Sequence, residues 1–255
     1  MSMQKKLILL IAFLVTIPLI VTSVFAYHYG SGVITQQSKT NLSTNSERGI
    51  ETVGALVSGE KKEIESLAQN RDVVALAKLR KANQGGNFFT EQKNQREQLE
   101  KFLTDRLNHL GNMEHIFLLD TNGVIFADTY PGTLKKDVHT REYFQEALAG
   151  KLAISKTIVS KATGANVIAF AAPIKDENGQ TIGVMGTTVF ADYFNKHLEG
   201  IKVGESGYAY MVDAEGTMLS HPKKEKIGQP VENATVNYPP LKEVWACNYP
   251  EVQMP

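Results

Sequence analysis

Arg141-Glu142-Tyr143-Phe144 sets a guanidinium one residue away from two adjacent aromatic rings, directly after the polar stretch TLKKDVHT. A guanidinium presents a planar fork of donors that pairs bidentately with a carboxylate, and a neighbouring tyrosine hydroxyl adds a further donor. The plainer alternative is a surface arginine pairing with Glu142 or Asp137, worth ~0–1 kcal/mol. Other residues are poorer candidates for chemistry. Ser58-Gly59-Glu60-Lys61 satisfies the S-x-x-K spacing, yet no Ser-Asp-Asn follows and Lys161-Ala162-Thr163-Gly164 is not Lys-Thr-Gly. The histidines at 28, 109, 115, 139, 197 and 221 form no H-E-x-x-H pair. Asp120 and Asp213 each head an Asp-x-x-Gly turn, where an Asx side chain caps its own turn. No enzyme activity, cofactor or metal is therefore expected.

Composition narrows the partners. The 27 basic residues balance the 27 acidic ones, which leaves no basic field to attract phosphate, and nucleic acid is set aside. The lone Cys247 closes no internal disulfide. Residues 7–27 carry no charge over 21 positions, enough at ~1.5 Å per residue to cross a ~30 Å hydrocarbon core. Lys5 and Lys6 before this run favour a cytoplasmic N-terminus, with the remainder outside. A cleaved signal peptide ending near Val24-Phe25-Ala26 is the competing reading; signal cores are usually shorter, and an uncleaved anchor is expected.

Behind the anchor, Ile50, Val53, Val57, Ile64 and Leu67 fall on a 3-4-7-3 spacing interrupted at Glu60. This is a helical seam, which predicts one helix from about Ser31 to Leu79 packing on a later helix or on a second copy, so a homodimer is open. Gly85-Gly86 breaks it. Thr90 then starts a helix with Leu99, Phe102, Leu103, Leu107 and Leu110 on one stripe, and Gly111 stops it. From there the period changes to two. HIFLLDTNGVIFAD reads as strand, turn and strand at 115–119, 120–123 and 124–127. REYFQEALAG is a helix ended by Gly150, after which ISKTIVS, NVIAFAAPI and QTIGVMGTTVF form an antiparallel meander. The expected fold class is α+β, a five-stranded sheet with helices on one side. FLLDTNGVIFAD and YMVDAEGTMLSH repeat the same hairpin 93 residues apart, arguing for two copies of one sheet unit, the second incomplete.

These segments, in this order, resemble the double-Cache extracytoplasmic sensor domain of methyl-accepting chemotaxis receptors, sensor histidine kinases and diguanylate cyclases. The resemblance implies a cytoplasmic start at 1–6, a transmembrane helix at 7–27, a helical stalk at 31–111, a membrane-distal PAS-like ligand-binding unit at 112–200, a partial membrane-proximal unit at 201–245 and an atypical tail at 246–255. It also implies a small-molecule ligand in the distal unit. The amino-acid-binding branch of the family uses Arg-x-Trp-Tyr for the ligand carboxylate and an aspartate on the last long strand for its ammonium. Here Arg141 is kept, Tyr143 and Phe144 stand at the ring positions, and Thr188 takes the aspartate position. The implied ligand is a small carboxylate or another weakly charged metabolite in preference to an α-amino acid. Phe170, mid-strand, and Asp128, in ADTYPG, complete the expected ligand set beside their plainer readings as a core and a turn residue. The resemblance places the bulk of the chain outside a bacterial inner membrane, as the input of a receptor, with a methyl-accepting chemotaxis receptor as the expected parent, whose native reading is lost near Ala246; a histidine-kinase or diguanylate-cyclase input, or a stand-alone membrane-anchored ligand-binding protein, is the alternative.

Overall fold

The computed structural model describes residues 3–198, 200–203, 207–212 and 216–231. It divides after Ile50 into two units. The tail and the residues after 231 of the expected second unit lie outside the described residues, as does Asp213.

The first unit is helical. α1 runs Met3–Ala68 with Pro18 inside it. It is the one helix among the described residues long and apolar enough to cross a membrane. Phe13, Leu14 and Phe25 are among its exposed apolar side chains, a composition that fits a membrane-spanning helix. The Thr16 and Thr22 hydroxyls donate to the carbonyls of Ala12 and Pro18, each at 2.8 Å. They therefore carry no unmet polar group into an apolar medium.

The second unit begins with the rest of α1. The predicted single helix to Leu79 is instead broken after Ala68, because Asn70 caps a new helix, its side chain accepting from the Asp72 N–H at 2.9 Å. α2 follows over Arg71–Ala82, then α3 over Phe88–Glu91 and α4 over Lys93–Leu110. Thr90 thus lies inside a short helix, and Gln92 is the joint before the long one. Gly111 ends α4 in the left-handed conformation at φ 71°, as its position predicted.

β1 (Met113–Leu119), β2 (Ile125–Asp128), α5 (Glu142–Leu148), β3 (Ala153–Val159), β4 (Asn166–Lys175), β5 (Thr181–Phe190) and α6 (Ala191–Leu198) come next. The five strands form one antiparallel sheet in the order β2-β1-β5-β4-β3. Its two tight Asp-x-x-Gly turns close in one way. Asp120 Oδ1 accepts the N–H groups of Asn122 and Val124 at 2.9 and 3.0 Å, and Asp176 Oδ1 those of Asn178 and Gln180 at 3.0 and 2.9 Å. Short antiparallel pairs follow, β6 (Lys202–Val203) with β7 (Gly207–Tyr208) and β8 (Met211–Val212) with β9 (Met218–Ser220).

Helices lie on both faces of the five-stranded sheet, correcting the one-sided expectation. On one face Ile64, Leu67, Val73, Leu76, Leu99 and Leu103 pack against Ile116, Leu118, Ile168 and Met185. A fully buried Ile or Leu contributes roughly 1.5–3 kcal/mol, so the buried C-terminal part of the seam is held by this sheet. On the other face Phe144 and Ala147 of α5 pack on Phe117, Leu119, Ala169, Ala171 and Val184. The alternation of β4 decides where Phe170 goes. Ala169 and Ala171 leave room for α5, and Phe170 points to the opposite core.

Candidate ligand cavity on the sheet

The loop before α5 is fixed before any side chain is considered. It pairs with β2 through Lys135 N–H to Ile125 O at 2.8 Å, Ile125 N–H to Lys136 O at 3.0 Å and Val138 N–H to Gly123 O at 2.9 Å. Gly123 is required there: its φ is +84°, and a Cβ would stand 2.7 Å from the backbone of His139. Arg141 follows as the N-cap of α5, its N–H bonded to Val138 O at 2.9 Å and its carbonyl accepting from Phe144 N–H at 3.1 Å. The guanidinium is thus carried at the head of a helix whose Tyr143 and Phe144 rings are buried.

Between this loop, β1, β5 and the β3–β4 turn lies a cavity of about 220 Å³. Arg141, Tyr143 and Thr188 line it, as expected from the sequence, together with His115, Phe117, Ile125, Lys136, Ser160, Lys161 and Val167. Phe170 does not line it, being buried in the opposite core. Asp128 does not line it either; it sits behind the wall and holds a residue that does.

The polar groups divide into free and committed ones. Among the described residues no protein group hydrogen-bonds or ion-pairs with the side chains of Arg141, Lys136 or Lys161 or with the Tyr143 hydroxyl. Asp137, the one carboxylate on the lining, already bonds His139 through Nδ1 at 2.8 Å and through the backbone N–H at 2.8 Å. Burial pushes the Tyr143 pKa up, opposed by the nearby Arg141 charge, so the hydroxyl keeps its proton. The lining therefore offers unpaired cations and a buried O–H with no competing free acid, which is the chemistry of an anion site.

The opposite wall is an organised acid–imidazole cluster. His115 Nδ1 lies 2.9 and 3.1 Å from the two oxygens of Asp128, and its ring stacks on Phe117 at 4.8 Å between centroids. Asp128 also accepts from the Tyr130 N–H at 2.8 Å and from the Thr133 hydroxyl. Behind it, the Asp128 N–H donates to Glu100 at 3.1 Å, and Glu100 is paired with Arg96 at 2.7 Å. Burial raises the Glu100 pKa, and the Asp128 N–H and Arg96 hold the rise back. A register shift between Met113 and His115 makes Glu114 the extra residue of a bulge. Bulges re-aim side chains, and Glu114 accepts from the hydroxyls of Thr188, at 2.8 Å, and Thr163. His115 and Glu114 were absent from the sequence-derived set. The alternation His115, Phe117, Leu119 and the hairpin turn carried the signal for the histidine, whereas nothing in the sequence marked the bulge.

A Cache domain model matches residues 32–250, and the chain belongs to the Cache-domain family. It is 24% identical over 236 residues to the methyl-accepting chemotaxis protein McpB of Bacillus subtilis, covering 89% of this chain and 32% of that one. The chain spans about a third or less of the length of the chemotaxis proteins it matches. Among solved structures it is similar to the sensor domain of the histidine kinase DctB of V. cholerae (TM-score 0.60, 11% identity, 74% of this chain and 69% of that one). It is also similar to the ligand-binding domain of the Pseudomonas fluorescens chemoreceptor CtaA, solved with L-valine (TM-score 0.51, 22% identity, 73% of this chain and 76% of that one). Both likenesses are of fold.

Proposed function

We propose that this chain is the extracytoplasmic ligand-sensing input of a bacterial transmembrane receptor of the methyl-accepting chemotaxis class, and that its sheet cavity takes a small carboxylate. The observation that carries the reading is the unpaired Arg141 guanidinium beside the buried, unpartnered Tyr143 hydroxyl in one cavity. In this reading residues 7–27 cross the inner membrane once, 112–200 form the distal ligand-binding unit and 201–245 part of a proximal one. The chain acts by binding and not by catalysis. Thr188, where the amino-acid-binding branch carries an aspartate, is committed to Glu114 at 2.8 Å, which favours acids without an α-ammonium. CtaA is solved with L-valine, so amino acids belong in the test as competitors.

Ligand binding acts on the helices because β1 and β5 have two working faces. His115, Phe117 and Thr188 face the cavity, and Ile116, Leu118 and Val189 on the same strands face α1 and α2. A shift of these strands is felt in the core that holds Ile64 and Leu67.

The test is a thermal-shift titration of the full chain in detergent micelles with acetate, propionate, succinate, L-valine and L-serine, repeated with Arg141→Ala. The expected result is stabilisation by at least one of the simple acids that disappears in the variant. Stabilisation by the amino acids alone, or by an acid regardless of Arg141, overturns the reading.

A further inference from the structure

We infer that His115 is a ligand-binding group of this cavity, and that a carboxylate bound there takes up a proton on its imidazole, making the site a proton-linked acid sensor. The inference rests on the carboxylate reading above and deepens it.

The geometry leaves one ring atom free to titrate. Asp128 cannot turn away from Nδ1, since its oxygens are also held by the Tyr130 N–H at 2.8 Å and the Thr133 hydroxyl. Facing a carboxylate at 2.9 and 3.1 Å, Nδ1 carries hydrogen in the neutral and the charged ring alike. Protonation is therefore decided at Nε2. The nearest acid to that atom is Glu114, with Oε2 at 3.7 Å, beyond hydrogen-bond reach. Its oxygens are taken by Thr188 and Thr163. The residue is 6% exposed and lines the cavity, with Phe117 stacked on the ring and the Tyr130 ring edge-on at 6.3 Å. The imidazole can neither swing to water nor find another acceptor within the wall.

A neutral ring offers a carboxylate only a lone pair at Nε2, which repels it. An imidazolium offers a charge-assisted N–H donor. Charged groups face the ring from every side: Glu114 on β1 and Asp128 on β2, with Glu100 of α4 behind Asp128 and paired with Arg96. Across the cavity stand the cations Lys161 of the β3–β4 turn, Lys136 of the loop and Arg141 at the N-cap of α5; Asp137 is tied to His139, and the Tyr143 hydroxyl is uncharged. A bound carboxylate neutralises the opposing cations and places a negative charge before Nε2. Both effects raise the proton affinity of His115 on binding. By linkage the additional affinity is fully present below the pKa of the empty site and is lost as pH rises through that of the filled one, at up to about tenfold per pH unit.

The experiment is calorimetric titration of the full chain in micelles with acetate, propionate and succinate at about pH 6 and about pH 8. Each is run in two buffers of different ionisation enthalpy, so that proton uptake is read directly. The expected result is uptake of a fraction of a proton up to one per acid bound, with about tenfold or greater loss of affinity between the two pH values. His115→Gln, whose amide N–H stands near the Nε2 position without titrating, is expected to bind with no uptake and with less than about twofold pH dependence. His115→Phe, which lacks the donor, is expected to bind weakly at both. Binding without proton uptake in the wild type overturns this inference and leaves the carboxylate reading standing, as does uptake that survives His115→Gln. If none of the three acids binds at either pH, the carboxylate reading fails and this inference falls with it. The wild-type buffer comparison requires no variant, so a misfolded substitution does not remove the test.

Discussion

Gly186→Ala should damage the cavity wall through a single added methyl. Gly186 is directly opposite Phe117 across the β1–β5 pair. A Cβ at this position would stand 2.3 Å from Cε2 and 2.4 Å from Cζ of the Phe117 ring, where carbon atoms pack at ~3.5–4.0 Å. The ring must retreat by roughly 1–1.5 Å to recover that contact. It is 2% exposed and stacked on His115, so its movement is passed to the imidazole. Overpacking of this kind costs about 1–3 kcal/mol, and in a unit of this size each kcal/mol lowers Tm by roughly 2–4 °C. Scanning calorimetry should therefore show a drop of roughly 2–12 °C. Carboxylate affinity should fall as well, because His115 is displaced. Phe117→Leu removes the ring atoms that clash, and the double variant should lose at least about 1 kcal/mol less than the two single changes summed. A Gly186→Ala protein with unchanged Tm, or a double variant whose losses simply add, would refute the assignment of this glycine to the Phe117 ring.

The Arg80–Asp120 pair should be the costliest polar contact to break. Both residues are buried, Nε and Nη2 donate to Asp120 Oδ2 at 3.0 and 2.8 Å, and removing either partner leaves a buried charge worth about 3–5 kcal/mol in urea unfolding, with strong coupling in the double variant. Glu60→Gln should stabilise the protein at neutral pH. Burial raises the Glu60 carboxyl above 4.5, so its penalty is absent below that value and grows as pH rises through the folded pKa. The variant should melt at a higher temperature than the wild type near neutrality and differ little from it at about pH 4, and an equal gain at both would contradict this sign. Asn112→Ala should act oppositely, since its side-chain amide donates to Glu60. It should cost about 1–3 kcal/mol by thermal unfolding at neutral pH.

The sheet was legible because turns and alternation are local. Asp120-x-x-Gly123 and Asp176-x-x-Gly179 set two of the sheet's three hairpins, and the strands they join follow a period of two. Arg141 and Tyr143 were legible through the short helix they open, and Thr188 only through the resemblance, as the residue at the family's aspartate position. The break at Asn70 was written in the sequence as an Asn two residues before an Asp, but the apolar seam that resumes beyond Glu60 at Ile64 and Leu67 outweighed it. For Phe170 the core and cavity-wall readings stood side by side, because a strand buried on both faces gives no polar positions from which to count, and the structure places it in the core. Small Ala169 and Ala171 were the available clue, since a helix packs closely only over small residues. His115 looked like a lone strand histidine. Counting back from the Asp120 turn pairs Phe117 with Asp128, which puts His115 on the diagonal to that aspartate, within reach of a polar side chain.

The bulge at Glu114 lies where the cavity and the helical core meet. Two residues before it in the chain, Asn112 donates its side-chain amide to Glu60 of α1, and its carbonyl accepts the Phe190 N–H of β5 at 3.1 Å. On the other side of the bulge, His115 and Thr188 face the cavity as cross-strand partners. The extra residue breaks the ladder locally, and pairing continues on either side of it at Met113–Val189 and His115–Thr188. In the proposed reading, a change of charge or position at His115 bears on the segment whose Asn112 is bonded to Glu60 of α1. The more regular pairing from Ile116 to Leu119 is better suited to keep the rest of the cavity wall in place.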